Sequence, residues 1–287
     1  MPYQDTSTEN VPTRPSKRQL KLLDKISYER TDIMSFKFSR NDNSSQSQNY
    51  HLNYKAGQYA VVDLGTKEDP EGPVRSFTLA SSPTEDDFIL ISTRIRDTPF
   101  KKKLESLGVG HVVNVIAPTG KFILHSDHSK PAVFLSGGIG VTPFSSMVKY
   151  ATDRQVPVNI TIFDSNRNQN NILYKEEFDE WANTNKNLKV IYTLAGGEAG
   201  ETKIAQPSSS QYQPQSNPNI LDDTDWRGER GFINKAMLTR HLKKSELENS
   251  IFYICGPPGM LKAMQKLLEA ELHIPKERMM LEEFTGY

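Results

Sequence analysis

Two rhythms of apolar and polar residues divide this chain. From about Ser16 to Leu124 the apolar residues fall in short runs: Val61-Val62-Asp63-Leu64, Phe77-Thr78-Leu79, residues 88–93 and residues 112–116, separated by clusters of Gly, Pro, Asp and Ser. Short strands at close spacing with turn punctuation predict a small antiparallel barrel or sandwich. Within it, residues 101–107 predict one helix stopped by Gly108. Residues 40–50 are too polar for a core and predict a hairpin loop.

After Lys130 the rhythm lengthens. Residues 132–136, 158–164, 188–194 and 251–255 read as buried strands, and residues 143–152, 174–183, 235–242 and 260–272 as helices. Strand–helix alternation predicts a parallel sheet with helices on both faces. Residues 196–224, rich in Gly, Ser, Gln, Pro and Asn, break the alternation. They predict an inserted flexible loop, because so few apolar groups do not offset the cost of ordering it. The chain therefore divides into a flexible N-terminus (1–15), an antiparallel β-barrel domain (16–127) and an α/β domain with a parallel sheet (128–287).

Composition narrows the function classes. The 287 residues suffice for two cores, and 35 Lys plus Arg balance 35 Asp plus Glu. A neutral chain argues against nucleic acid as the main partner. Its apolar runs are of strand length, so no membrane span is expected, and the polar N-terminus lacks the apolar region of a secretory signal. The single cysteine, Cys255, excludes an intrachain disulfide and an all-cysteine iron–sulfur cluster within this chain. A cytoplasmic protein without a bound metal is the simplest expectation.

Two turns carry the candidate chemistry. Gly137-Gly138-Ile139-Gly140-Val141-Thr142-Pro143 follows one predicted strand, and Cys255-Gly256-Pro257-Pro258-Gly259 follows another. Glycines permit close backbone approach, Thr142 is placed to cap the next helix, and exposed amides with the helix dipole favour a phosphate. The spacing is not G-x-G-x-x-G, which disfavours an ordinary dinucleotide fingerprint. Small residues after Cys255 clear space for a planar ring, making the cysteine a positioning group. Upstream, Arg75-Ser76-Phe77-Thr78 combines a five-donor cation suited to phosphate with an aromatic face and a hydroxyl.

These motifs, with the terminal Leu281-Glu282-Glu283-Phe284, resemble in their order the signatures of the ferredoxin–NADP reductase-like flavoproteins, over nearly the whole chain. The resemblance implies a flavin-binding barrel followed by an NAD(P)-binding domain. It puts Arg75 on the flavin phosphate, Phe77 against the isoalloxazine and Thr78 near N5, with Ser76 between them; Tyr59, on a strand pattern of its own, is a further candidate to pack against the ring. It implies backbone contacts from Ser92, Thr93 and Arg94, and a helix start at Thr98, Phe100 and Lys101 holding a pyrophosphate. Gly138, Thr142, Cys255, Gly256 and Pro257 receive the nicotinamide nucleotide. Glu282 and Phe284 complete the catalytic set with Thr78 and Cys255, Phe284 covering the flavin and Tyr287 competing for that place. Asp164 and Arg167 stand where the nucleotide's 2′-phosphate would be repelled or bound, leaving NADH and NADPH both open. The implied cofactors are FAD, with FMN the alternative, and NAD(P)H. The implied activity passes hydride from NAD(P)H to the flavin, then electrons to an outside redox protein such as ferredoxin or flavodoxin. The alternatives are an oxygenase's reductase component, a free-flavin reductase, and a non-catalytic nucleotide-binding or electron-transfer subunit.

Overall fold

The computed structural model describes residues 15–41, 51–196 and 225–284. The expected hairpin loop and insert lie almost wholly outside the described residues, as do the N-terminal segment and Tyr287. Six antiparallel strands form the first sheet, in the order β4-β3-β6-β1-β2-β5. They are β1 (Ser16–Ser27), β2 (Ile33–Ser39), β3 (Tyr59–Asp63), β4 (Val74–Thr78), β5 (Phe88–Arg94) and β6 (Val112–Thr119). Just past β4, the Ala80 amide donates to the Leu90 carbonyl of β5 at 2.7 Å, which nearly closes the sheet into a barrel. The helix α1 (Pro99–Ser106) plugs this barrel with Phe100 and Leu104, both fully buried beside Leu20, Phe36 and Phe77.

The strands β1 and β2 were not singled out by hydropathy because they alternate. In β1, Leu20 and Leu22 face the core while Lys21 and Gln19 face water, the period of a strand buried on one side.

The second sheet is wholly parallel, in the order β10-β9-β8-β7-β11-β12. Its strands are β7 (Ala132–Gly137), β8 (Ile160–Asn166), β9 (Leu188–Leu194), β10 (Glu229–Arg230), β11 (Ile251–Gly256) and β12 (Met279–Glu283). Both faces are covered. Along β7 and β11, Phe134, Tyr253 and Cys255 point to the side of α2 (Thr142–Asp153) and α3 (Lys175–Thr184). Val133, Leu135, Phe252 and Ile254 point to the side of α4 (Lys235–His241) and α6 (Pro258–Lys266). A short α5 (Lys244–Asn249), which the apolar pattern did not reveal, precedes β11.

The two glycine turns meet because neither carries a Cβ. A Cβ on Gly140 would lie 2.7 Å from the Cys255 carbonyl carbon and 2.8 Å from Gly256 Cα, both backbone atoms that cannot swing away. Of the glycines in the first turn only Gly138 takes a positive φ, 54°. We expect Gly140→Ala to cost about 1–3 kcal/mol of stability through overpacking. Urea unfolding checks this; a midpoint equal to wild type would contradict it.

Candidate active site at the joint of barrel and parallel sheet

A cavity of about 310 Å³ opens between the two sheets. The barrel supplies Arg75, Ser76, Phe77 and Thr78 from β4, Ser92 and Thr93 from β5 and Lys101 from α1. The parallel-sheet half supplies Ile139, Thr142 and Phe284, with Glu283 at the rim. Residues distant in sequence are thus gathered by β4 and β5 flanking the barrel seam and by the C-terminal ends of β7 and β12.

Lys101 is the strongest electrostatic feature of the wall. It is 8% exposed, its ammonium donates to Thr93 Oγ1 and lies 4.9 Å from the Phe77 ring centroid. Burial, reinforced by Arg75 and Arg96 and partly offset by the carboxylate of Glu71, which also lines the cavity, lowers its pKa to about 8. Among the described residues no carboxylate forms an ion pair with it. A buried ammonium without an anion is costly, and an arriving phosphate relieves that cost.

Arg75, expected as a free phosphate fork, is already engaged. Its guanidinium pairs with Asp69 at 2.5 Å and Glu71 at 3.1 Å, and donates to the Gly72 and Val74 carbonyls at 2.9 and 2.8 Å. Asp69 in turn accepts from the Phe100 amide at 2.9 Å. Burial works against the Asp69 charge, but the Phe100 and Glu71 amides and Arg75 outweigh it and hold the carboxyl below its ordinary value. A carboxylate therefore sits at the start of α1, where the resemblance implies a pyrophosphate. Thr98 caps that helix by accepting from the Lys101 amide, and Phe100 is fully buried under Arg75, so neither lines the cavity.

Among the buried polar atoms of the described residues that lack internal partners, two belong to residues expected at the site. Thr78 Oγ1 lines the cavity; Glu282 Oε2, on β12 just before the lining residues Glu283 and Phe284, does not, and both atoms are buried and unpaired. Burial raises Glu282 to about 7, so its carboxyl holds a proton well above the ordinary range. Glu282 lies opposite Cys255 in the register of β11 and β12, and burial together with that neighbour pushes the thiol up. Cys255 is fully buried in the apolar core and does not line the cavity, nor do Gly138, Gly256 and Pro257, which form the packed turns beside it.

Three further expectations change. Thr142 does not cap α2; it is that helix's first residue, and its hydroxyl donates to the Ile139 carbonyl at 3.1 Å. Asp164 is not exposed to a nucleotide: it is 1% exposed, accepts from Ser136 Oγ and Asn166, and burial raises it to about 7. Tyr59 lies against Gly120 rather than in the cavity. Arg94 pairs with Asp32 and donates to Asn171, tying β5 to the loop before α3, with Gly138 beside it. Arg167 is exposed past the end of β8. Asp69 escaped sequence reading because its partners, Arg75 and the Phe100 amide, come together only on folding.

Comparison with known proteins adds to this geometry. A family model described as the oxidoreductase NAD-binding domain matches residues 134–266. Among curated proteins, the chain is 29% identical over 256 residues to the F subunit of the Na(+)-translocating NADH-quinone reductase of Idiomarina loihiensis, covering 84% of this chain and 55% of that one. It is 26% identical over 268 residues to the nitrate reductase [NADPH] of Fusarium oxysporum, covering 85% of this chain and 26% of that one. The chain thus spans about half the length, or less, of these relatives. Among solved structures, the Amycolatopsis cytochrome P450 reductase GcoB matches with a TM-score of 0.71 at 19% identity, covering 95% of this chain and 71% of that one. The cytochrome b5 reductase domain of Ulva prolifera nitrate reductase matches with a TM-score of 0.68 at 21% identity, covering 93% and 97%. These structures share the fold. No helix of the described residues is long and apolar enough to cross a membrane.

The Glu282 carboxyl makes stability depend on pH. The unfolded side chain loses its proton near 4.5, whereas the folded one keeps it to about 7. Unfolding between those values releases a proton, so stability falls as pH rises through the window and levels off above it. Buried Asp164 adds a parallel contribution from 3.8 to about 7. We expect Glu282→Gln to reduce the slope of melting temperature against pH between about 4.5 and 7; an unchanged slope would contradict the assignment.

Proposed function

We propose that this chain, which belongs to the ferredoxin–NADP reductase-like flavoproteins, is an NAD(P)H-dependent flavin oxidoreductase that holds FAD in the cavity between its two sheets and passes electrons to an acceptor outside the chain. One observation carries the reading. A cavity shared by the barrel and the NAD-binding half gathers a buried unpaired hydroxyl and a buried ammonium without an ion-pair partner from the barrel and Phe284 from the other half.

The residues fit a flavin. Lys101 is the cation for its phosphate, the role expected of Arg75, while Arg75 braces the loop through Asp69. Thr78 Oγ1 offers the ring edge the hydrogen bond that it lacks within the protein. Ser92 and Thr93 border the cavity from β5, and Phe77 forms apolar wall beneath the ammonium. When bound, the flavin accepts hydride from a reduced nicotinamide and releases its electrons to the acceptor.

This chain's own work is placement and proton handling. Phe284 and Ile139 close the side facing the NAD-binding half and keep water from the reacting face. Phe284 swings aside for the nicotinamide, which the turns at Gly138–Thr142 and Cys255–Pro257 receive. Their backbones can approach a ligand because the positions lack side chains. Glu282, protonated up to about 7, holds a proton on β12 next in sequence to the lining residues Glu283 and Phe284. Removing Asp164 from solvent removes a charge that would repel the 2′-phosphate of NADPH, and Arg167 is exposed to bind it, so either nucleotide is accommodated. The acceptor is a redox protein such as ferredoxin or flavodoxin. The names of the relatives span quinone, nitrate and cytochrome reductases, and the same donor half serves any of them.

Purified protein should be yellow, absorb near ~450 nm as oxidised flavins do, and bleach anaerobically with NADH or NADPH. Lys101→Met should weaken flavin binding about 10- to 100-fold, the worth of one charge-assisted hydrogen bond. Titration of the flavin-free protein checks this; colourless protein, or undiminished affinity in the variant, would contradict the reading.

A further inference from the structure

Three hydroxyls the proposed reaction does not use run from the cavity wall toward the surface. Ser35 of β2 and Ser92 of β5 stand directly opposite in the antiparallel register, and their hydroxyls hydrogen-bond. The Tyr28 phenol lies 3.0 Å from Ser35 Oγ. Ser92 lines the cavity, Ser35 is fully buried and Tyr28 is half-buried. Burial raises the Tyr28 phenol, its bond to Ser35 lowers it, and the carboxylate of Glu177, exposed on α3, raises it further. Ser92 also hydrogen-bonds the phenol of Tyr174, which interacts with Ser35 as well; this phenol is a buried side branch whose proton burial holds in place.

We propose that Tyr28, Ser35 and Ser92 form a proton path between solvent and the flavin cavity, an inference that rests on the flavin reading above. A hydroxyl has one proton to donate and two lone pairs to accept with. Ser35 bonds Tyr28 and Ser92 and also meets Tyr174, while Ser92 bonds Ser35 and Tyr174, so Ser92 keeps capacity for one more partner at a position that lines the cavity. In each of these contacts either oxygen is able to donate. A proton arriving on one oxygen therefore releases another from it, and no charge stays behind. Buried serines facing each other across two barrel strands bring little apolar contact to the core, so their presence calls for a polar role.

The balance is simple. NAD(P)H is oxidised by giving two electrons and one proton as hydride, and the flavin is reduced. One further proton from water completes the neutral reduced ring. When an acceptor removes two electrons, one at a time, two protons return to water. Along the path each step breaks one O–H bond as the next forms, moving a proton and no electron.

Proton release tests the path apart from turnover. Flavin-loaded protein, photoreduced with EDTA as the electron donor and desalted without oxygen, is mixed with ferricyanide, which takes electrons and no protons, and a pH-indicator dye reports the release. Ser35→Ala and Tyr28→Phe should slow release by about tenfold or more, and imidazole should restore the rate in Ser35→Ala. Tyr174→Phe, which removes the side branch and leaves the Tyr28–Ser35 and Ser35–Ser92 contacts in place, should release protons at the wild-type rate. Unchanged release in Ser35→Ala with flavin fully bound would overturn the path and leave the flavin reading standing. The same follows if Tyr174→Phe is the slowest variant, which would make the hydroxyls a bolt between β5 and α3. Protein that takes up no flavin would overturn both.

Discussion

Phe122 leaves the barrel and places its ring 5.9 Å from Phe144 of α2 and 5.5 Å, edge-on, from Tyr253 of β11. Phe134 stacks on Phe144 at 4.4 Å and meets Tyr253 edge-on at 5.2 Å. This aromatic group belongs to one continuous core that takes in Ile33, Ala56 and Ala80 from the barrel side as well as the strands of the parallel sheet. Each buried ring contributes on the order of a few kcal/mol of apolar burial, so separating the halves would cost far more than any one polar contact across the joint. Polar contacts then set the register: Ser146 Oγ donates to the Ser81 carbonyl at 2.6 Å, and Tyr253, its phenol raised to about 12 by burial, shares its hydroxyl with His125. The joint holds the two halves at one spacing, and the cavity exists because of it.

Given that spacing, the two glycine turns become intelligible. They pack against each other, with Gly140 on the Cys255–Gly256 backbone and Gly137 against Met260 and Pro257. The glycines serve the fold before they serve a ligand. The site proper lies beside them, where the barrel's cation and hydroxyl face the terminal aromatic of the other half. Charge is arranged there with economy: Asp69 and Glu71 pair with Arg75, while Lys101 is left without an ion-pair partner among the described residues.

Much of the fold was legible in the sequence because the parallel strands are buried on both faces. Val133-Phe134-Leu135 and Phe252-Tyr253-Ile254 alternate between two cores and so read as unbroken apolar runs. The strands β1 and β2 were harder, since one face of each is polar. Among site residues, Ser76, Phe77, Thr78, Ser92, Thr93, Lys101, Thr142 and Phe284 do come together around the cavity. The sequence misled where a side chain's partner is set by tertiary contact. Nothing in a lone Arg75 announces Asp69, and nothing in Asp164 announces that Ser136 and Asn166 will enclose it. The pairing of Ser35 with Ser92 was hidden for the same reason, because it depends on the register of two strands 57 positions apart.

The proposed function rests on one site built from both halves. A crystal structure of the protein purified with its yellow chromophore tests that most directly. The tricyclic ring should lie between Thr78 and Phe284 with its phosphate on Lys101. A ring bound elsewhere, or a phosphate seated on Arg75 with Asp69 displaced and Lys101 untouched, would contradict it.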